Sequence, residues 1–117
     1  MPCTRTALCF FFTFAATTAT YAQFTDASAD LGFRGGGKAA FGDYNNDGFV
    51  DLYTGKLWRN ENGKRFVEVT ESGVRGGEGI WGDYDNDGNL DLFTFTGSGA
   101  LYRNRGDGKF DTVAFPE

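Results

Sequence analysis

Side chains that carry oxygen recur at alternate positions in one short stretch of the sequence. Asp83, Asp85 and Asp87 occupy positions one, three and five of this stretch, and Gly88 follows at position six. Alternate side chains in a tight turn lie on the same side, so their oxygens can surround a hard cation that takes about six to eight oxygen ligands. Glycine lacks the Cβ atom that restricts the backbone, so it allows a sharp reversal at position six. The spacing therefore predicts a calcium loop.

The same pattern begins at Asp43, which precedes Asp83 by 40 residues. Gly48 is again at position six, a backbone carbonyl is offered at position seven, and an acid follows at position nine. Two matching copies make chance a poor explanation, and they predict two calcium sites. The predicted ligands are Asp43, Asn45, Asp47, Phe49 and Asp51 in the upstream loop, and Asp83, Asp85, Asp87, Asn89 and Asp91 in the downstream loop.

The position of the closing acid separates these loops from the EF-hand, in which a bidentate Glu stands at position twelve. Here position twelve is Thr54 or Thr94, and the closing acids are Asp51 and Asp91 at position nine. Polar and apolar residues partly alternate around both acids, and β-branched and aromatic residues are frequent, which indicates strands. We therefore predict calcium loops between strands. The alternative is a solvated acidic turn held by Asx-type hydrogen bonds without a metal.

The N-terminal residues have the pattern of a secretory leader. Arg5 precedes the apolar run Ala7–Ala16, and a small-residue cleavage site ends at Ala22. Ten apolar residues are too few for a membrane span; an N-terminal anchor or a disordered tail is the alternative. We predict a signal peptide over residues 1–22 and a mature region over residues 23–117. The protein is then secreted, or periplasmic if its source is a bacterium.

Cysteine and charge restrict the chemistry further. Cys3 and Cys9 both lie in the leader, so the mature region has no disulfide framework and no thiol chemistry. Without Arg5 it has 10 basic and 16 acidic residues, a net charge of −6. Seven of these acids are predicted ligands, so two divalent cations would bring the charge to −2. No basic stripe is present, and we do not expect nucleic-acid binding.

Catalysis has little basis in the mature sequence. The chain has no His, its cysteines lie in the leader, and no Ser stands beside a base, so the usual acyl-transfer triads are excluded. A carboxylate pair for glycoside hydrolysis stays open, but the clustered aspartates are assigned to the metal loops. We therefore do not expect an enzyme.

Similarity between the two halves extends beyond the acidic loops. Leu57–Phe66 aligns with Leu101–Phe110 at an offset of 44 residues, four more than the offset between the acidic loops. The four extra residues fall in the turn Thr96–Gly99. A period of about 40 to 44 residues with glycine-rich turns is typical of stacked β-units such as propeller blades. Glycine recurs too often for a helix. We predict an all-β fold of two tandem four-stranded antiparallel blade-like units, about 38–70 and 79–114, in an incomplete propeller.

Four short strands are expected in each unit. Those of the first are Lys38–Gly42, Val50–Thr54, Leu57–Asn60 and Arg65–Thr70. Those of the second are Gly79–Gly82, Leu90–Phe95, Ala100–Asn104 and Lys109–Ala114. Phe24–Ser28 resembles Phe66–Thr70, which indicates a remnant strand of a preceding unit. Propellers generally close with about four to eight blades, so we expect a fragment, a truncated product or a chain that completes itself as a homo-oligomer.

On these motifs the chain resembles the FG-GAP or VCBS repeats of integrin α-chain-type β-propellers, in the subgroup of cartilage acidic protein. Units of that subgroup combine an aspartate loop with a following Leu-Tyr-Arg-Asn segment and a glycine-rich turn. Phe41-Gly42 supplies the Phe-Gly element, which Trp81-Gly82 replaces in the second unit, and the resemblance runs from Phe24 to Val113. It implies that calcium on the rim of each blade stiffens the blade, while other loops recognise ligands.

The resemblance implies a secreted module for protein interaction or adhesion in which calcium is structural. The alternative is a fragment or accessory domain of a calcium-dependent carbohydrate-binding or polysaccharide-acting protein. The expected partner is accordingly an extracellular protein or a glycan.

Two other features have competing interpretations. Arg105-Gly106-Asp107 spells an adhesive tripeptide, but Glu61-Asn62-Gly63 fills the same place upstream, so a hairpin turn is the simpler interpretation. Trp58, Trp81 and Tyr102 could stack on sugar rings, although aromatic residues at corresponding positions are expected to fill the core between sheets.

Overall fold

The computed structural model of the protein describes residues 26–32, 37–95 and 97–114. Within these ranges the chain forms β-strands and no helix, as its glycine content predicts. Accordingly, no helix in this part of the chain has the length and apolar character needed to cross a membrane. The predicted signal peptide lies outside the described residues, as do Phe24 and Thr25 of the predicted remnant strand. The strands are β1 (Ala40–Gly42), β2 (Asp51–Tyr53), β3 (Leu57–Asn60), β4 (Phe66–Glu68), β5 (Gly79–Gly82), β6 (Asp91–Thr94), β7 (Ala100–Asn104) and β8 (Phe110–Val113).

These strands build two antiparallel sheets of four strands each. The first sheet has the order β1-β2-β3-β4 and the second has the order β5-β6-β7-β8. This confirms the predicted all-β class and the two tandem four-stranded units. Strands β3, β5 and β7 have the predicted bounds, and the other five are shorter at their ends. Turns take over the terminal residues; for example, the amide of Thr54 donates to the Lys56 carbonyl, 3.0 Å away, inside the β2–β3 turn.

The hairpin register places the two acidic loops at equivalent edges of the sheets. Gly42 pairs with Asp51 at the end of the β1–β2 ladder, and Gly82 pairs with Asp91 at the end of the β5–β6 ladder. Each loop therefore leaves its sheet immediately after a glycine and returns at the predicted closing acid.

The core lies between the two sheets, where aromatic rings interlock. Trp81 of the second sheet stacks on Tyr44, with ring centroids 6.3 Å apart, and meets Tyr53 edge-on at the same distance. A Cβ atom added to Gly42 would lie 2.8 Å from the Trp81 ring, so a side chain there would push the sheets apart. Close approach of the sheets thus requires this glycine. The buried residues of this cluster are Tyr44, Tyr53, Leu57, Leu92, Tyr102 and Phe110.

Polar contacts fix how one sheet sits on the other. The Trp81 indole donates to the Ala40 carbonyl at 3.2 Å, and the Tyr53 hydroxyl donates to the Gly76 carbonyl at 3.1 Å. At the edge, Lys38 and Glu78 form an ion pair of 2.9 Å. These directional contacts complement the non-directional packing of the rings.

Candidate metal centres

The first aspartate of each loop holds the loop backbone closed. In the downstream loop the two carboxylate oxygens of Asp83 accept hydrogen bonds from the amides of Asp87 and Gly88, at 3.0 and 2.9 Å. In the upstream loop the carboxylate of Asp43 accepts the corresponding bonds at 3.1 and 2.8 Å. The two loops therefore share one backbone conformation.

Residues with positive φ make the reversal in each loop. Gly48 has φ 86° and Gly88 has φ 89°, as predicted for position six. Position four also has positive φ, 56° at Asn46 and 59° at Asn86. Asn tolerates this region better than most residues. The structural role of position four was missed at the sequence level, although an Asn stands there in both copies.

The closing acids are buried at the base of the loops and tie them to the strands. Asp91 is 1% exposed, and its oxygens accept bonds from the amides of Asn104 at 2.7 Å and Tyr84 at 3.1 Å. Each carboxylate oxygen keeps a further lone pair for another partner. The loop and the β7 strand are thereby fixed to one side chain.

Asp51 makes the same bonds in the upstream loop, to the amides of Asn60 at 2.7 Å and Tyr44 at 3.1 Å. Its side chain is fully buried. Burial raises the pKa of Asp51 to about 6, because the charged form loses hydration, and the two amide donors only partly offset that cost. The nearby carboxylates of Asp47 and Asp43 raise it further.

Three acids of the downstream loop converge. Each of Asp83, Asp85 and Asp91 offers an oxygen, and these oxygens lie within 4.8 Å of one another. Calcium binds oxygen at about 2.3 to 2.6 Å, so two ligands of one ion lie at most about 5 Å apart. The separation and the donor chemistry both fit a hard cation. Among the described residues, Asp83, Asp85 and Asp91 are the one group of three or more His, Cys, Asp or Glu side chains whose ligand atoms lie this close together.

The remaining predicted ligands of the downstream loop, Asp87 and Asn89, bond to each other. Asp87 accepts a bond from the amide of Asn89 at 2.9 Å. This amide bond is the main cause that lowers the pKa of Asp87, and Arg103 lowers it further. Asp87 does not belong to the converging group of three.

A guanidinium lies against the downstream loop. Nε of Arg103 donates to Asp85 at 2.6 Å and Nη2 donates to Asp87 at 3.2 Å. The contact with Asp85 is the main cause that raises the pKa of Arg103. Upstream, Arg59 instead pairs with Glu61 at 2.9 Å. Both arginines thus have acidic partners, but of the two Arg103 alone takes its partners from an acidic loop.

The upstream loop is arranged differently at position three. The Asn45 amide donates to Asp47 at 3.0 Å, so this uncharged side chain bonds a neighbouring acid within the loop. The converging downstream residues correspond to Asp43, Asn45 and Asp51, so the upstream loop has two carboxylates and one amide where the downstream loop has three carboxylates.

Two asparagines that the sequence analysis did not single out support both loops. Asn60 donates to the Val50 carbonyl at 2.9 Å, and Asn104 donates to the Leu90 carbonyl at 3.0 Å. Asn104 also donates to the Tyr44 carbonyl of the other sheet at 2.7 Å. The signal was present, because an Arg-Asn pair recurs at corresponding positions, but the partners follow only from the fold.

The loops also touch each other directly. The Asn46 side chain donates to the Gly88 carbonyl at 3.3 Å and to the Asn89 side chain at 3.2 Å. Asn89 provides the predicted carbonyl ligand at position seven. Hydrogen bonds of one side chain thus join the two loops.

The two features with competing interpretations can also be located. Arg105-Gly106-Asp107 lies in the β7–β8 turn, where Arg105 and Asp107 pair at 3.3 Å. The predicted turn is confirmed, and the adhesive role is the alternative interpretation that the structure does not test. Trp58 and Tyr102 are buried, as expected for core residues, while Trp81 is half-buried between the sheets.

Comparison of the chain with protein-family models, curated proteins and solved structures finds no match in any of the three. The resemblance to FG-GAP repeats therefore stays a prediction from the motifs alone. Assignment of function depends on the geometry of the two loops.

Proposed function

We propose that the protein is a secreted calcium-binding module of β-propeller-type repeats that serves protein interaction or adhesion, with calcium in a structural role. The convergence of Asp83, Asp85 and Asp91 is the observation that carries this proposal. Asp87 and the carbonyl of Asn89 would complete the downstream ligand set. Upstream, the ion would be held by Asp43, Asn45, Asp47, the carbonyl of Phe49, and Asp51.

A structural role follows from where the ligands are attached. Asp91 lies on strand β6 and binds the backbone of β7, while Asp83 closes the loop that follows β5. An ion held by both acids would link three strands of one sheet. It would also offset repulsion among the acids, which otherwise opposes their close approach. Binding to the folded state alone stabilises that state by mass action.

Recognition of a carbohydrate is the weaker alternative. Trp58 and Tyr102, two of the aromatic residues considered for sugar stacking, are buried in the core. A glycan array run with and without a chelator separates the two proposals. Chelator-sensitive binding to a defined glycan would favour the alternative.

A thermal melt of the purified protein in calcium and in EGTA tests the proposal. Calcium at about 100 times the Kd of one site stabilises the fold by about 2.7 kcal/mol, which raises Tm by roughly 10 °C or more in a domain of this size. The Asp107→Ala variant is a matched control, because it removes an exposed acid outside both loops. It should keep the full calcium shift, whereas the Asp83→Ala variant should lose much of it. An identical Tm in calcium and in EGTA would refute the proposal.

A further inference from the structure

One face of the second sheet resembles, residue by residue, the face that the first sheet buries. In the first sheet Ala40, Tyr53 and Leu57 are cross-strand neighbours that pack against the second sheet. The corresponding residues of the second sheet are the cross-strand neighbours Ile80, Phe93 and Leu101. They lie on the side that faces away from the first sheet.

Exposure differs sharply between these corresponding faces. Tyr44, which extends the first face, is 3% exposed, whereas its counterpart Tyr84 is 51% exposed. Ile80 is 56% exposed, and a depression of about 160 Å³ is lined by residues of this face, among them Tyr84, Phe93 and Leu101. An apolar face of this kind marks an interaction surface more often than an isolated exposed residue does.

Gly82, which lines this depression, indicates that a flat aromatic ring would fit there. At Gly42 an added Cβ would lie 2.8 Å from the Trp81 ring, so the ring covers that glycine. At the corresponding Gly82 an added Cβ would meet nothing within 4 Å. Among the described residues of a single copy, then, no neighbouring atom requires glycine at this position. A ring seated over Gly82, as Trp81 is seated over Gly42, would supply the reason.

The same chain presents such a ring. Phe41 corresponds to Trp81 in the strand register and is 67% exposed. Leu52 and Trp58 lie on the same side of the first sheet as Phe41 and are buried within one copy. Of these three side chains, Phe41 is therefore the one that can contact a second copy.

Charge and hydrogen bonding agree with the same pairing. Lys38 and Glu78 occupy corresponding positions and form an ion pair between the sheets. At a contact between copies, Glu78 of one copy would therefore face Lys38 of the next, again with opposite charges. Asn60 would likewise stand near the Tyr84 carbonyl, as Asn104 stands near that of Tyr44.

We propose that this outer face of the second sheet docks the first sheet of a second copy of this chain, with Phe41 of that copy seated over Gly82. The contact repeats the packing between the two sheets of one copy and is heterologous, so copies add head to tail. It rests on the apolar faces and does not depend on calcium binding.

Sedimentation velocity on mixed variants tests this proposal with the full chain. Phe41→Lys blocks one face and Ile80→Lys blocks the other, and both residues are exposed, so folding should be retained. Each variant alone should be monomeric, and an equimolar mixture should form a dimer that grows no further, because each variant keeps one intact face. Thr112→Lys, at an exposed position on the other side of the second sheet, is the control and should assemble like the unmodified chain.

A smaller change sharpens the test. Gly82→Ala adds one methyl group that meets nothing in a single copy, so the thermal melt of the monomer should be unchanged, while association weakens at least about tenfold. The proposal is overturned if the unmodified chain is monomeric at about 100 μM, a concentration at which even contacts of micromolar Kd are occupied. It is also overturned if the Phe41→Lys and Ile80→Lys mixture stays monomeric, or if either variant alone still assembles.

Discussion

The upstream and downstream loops have the same backbone hydrogen bonds and different electrostatics. In both, the first aspartate accepts two loop amides. The closing aspartate accepts one more loop amide and one amide of a neighbouring strand. Yet the downstream loop brings three carboxylates together beside Arg103, whereas the upstream loop has Asn45 and a closing acid of raised pKa. Loop shape is thus set by backbone donors, and loop charge by the side chains at position three and on β7.

The most severe test of this comparison removes the first ligand of each loop. Asp83→Ala and Asp43→Ala should each weaken calcium binding at the altered loop about a hundredfold, because an anionic ligand is lost and the loop backbone loses its acceptor. Isothermal titration should then detect one site instead of two. We expect the tighter site to be the one that Asp83→Ala removes, since the downstream loop has four acids. The comparison fails if Asp43→Ala removes the tighter site.

The next largest difference between the two loops is expected when the supporting asparagines, Asn104 and Asn60, are replaced. Asn104 is buried and bonds two carbonyls on different sheets, so Asn104→Ala leaves buried acceptors unpaired and should cost about 3 kcal/mol of unfolding free energy. Asn60 is less buried, and its amide group donates to the Val50 carbonyl of its own sheet, so Asn60→Ala should cost about 1 kcal/mol. Urea denaturation measures both. Equal costs would mean that the contact to Tyr44 contributes little.

Acidity should weaken the upstream loop in a defined window. The pKa of Asp51 is raised from 3.8 to about 6, so below about 6 this acid must release a proton before it can bind an ion. In the Asp83→Ala background, where the upstream site remains, calcium affinity should fall about tenfold per pH unit below that pKa. Titration calorimetry at several pH values measures the slope, and a flat profile would contradict the assignment of Asp51 as a ligand.

Without metal, the raised pKa of Asp51 has the opposite effect on how stability depends on pH. Between 3.8 and about 6 the folded protein holds a proton on Asp51 that the unfolded chain releases, so stability in EGTA should fall as pH rises through this window. Asp51→Asn removes the titrating group and should flatten that part of the profile in thermal melts. If Asp51→Asn leaves the slope of stability against pH unchanged, another titrating group causes that slope.

The smallest expected effect concerns the arginine beside the downstream loop. Arg103→Met removes a positive charge that contacts Asp85 and Asp87, so calcium affinity there should rise about fivefold, a modest change because the guanidinium is partly exposed and screened. Arg59→Met is the matched control, since Arg59 pairs with Glu61 outside the loop. Titration should find a smaller change of upstream affinity in that variant, because Glu61 is the main partner of Arg59 and the charge of Asp51 is a minor one. If Arg103→Met weakened binding, Arg103 would be a positioning residue for the acids.

Much of the fold could be predicted because its signals are local. Glycine-rich turns and alternating residues located all eight strands, and three of them have the predicted bounds. The positive φ at Gly48 and Gly88 follows from the turn that the aspartate spacing demands. The contact of Arg103 with Asp85 was beyond such reasoning, because it joins residues 18 positions apart through the β6–β7 register.

The sequence by itself determined the two hairpins and their acids, since those hydrogen bonds join residues at most thirteen positions apart and depend on local spacing. Tertiary structure decided which face of each sheet is covered, and it joined Asn104 to Tyr44 across 60 residues. The physical reason is that a side chain finds its long-range partner only after the sheets have packed, and close packing depends on the combined shapes of many residues.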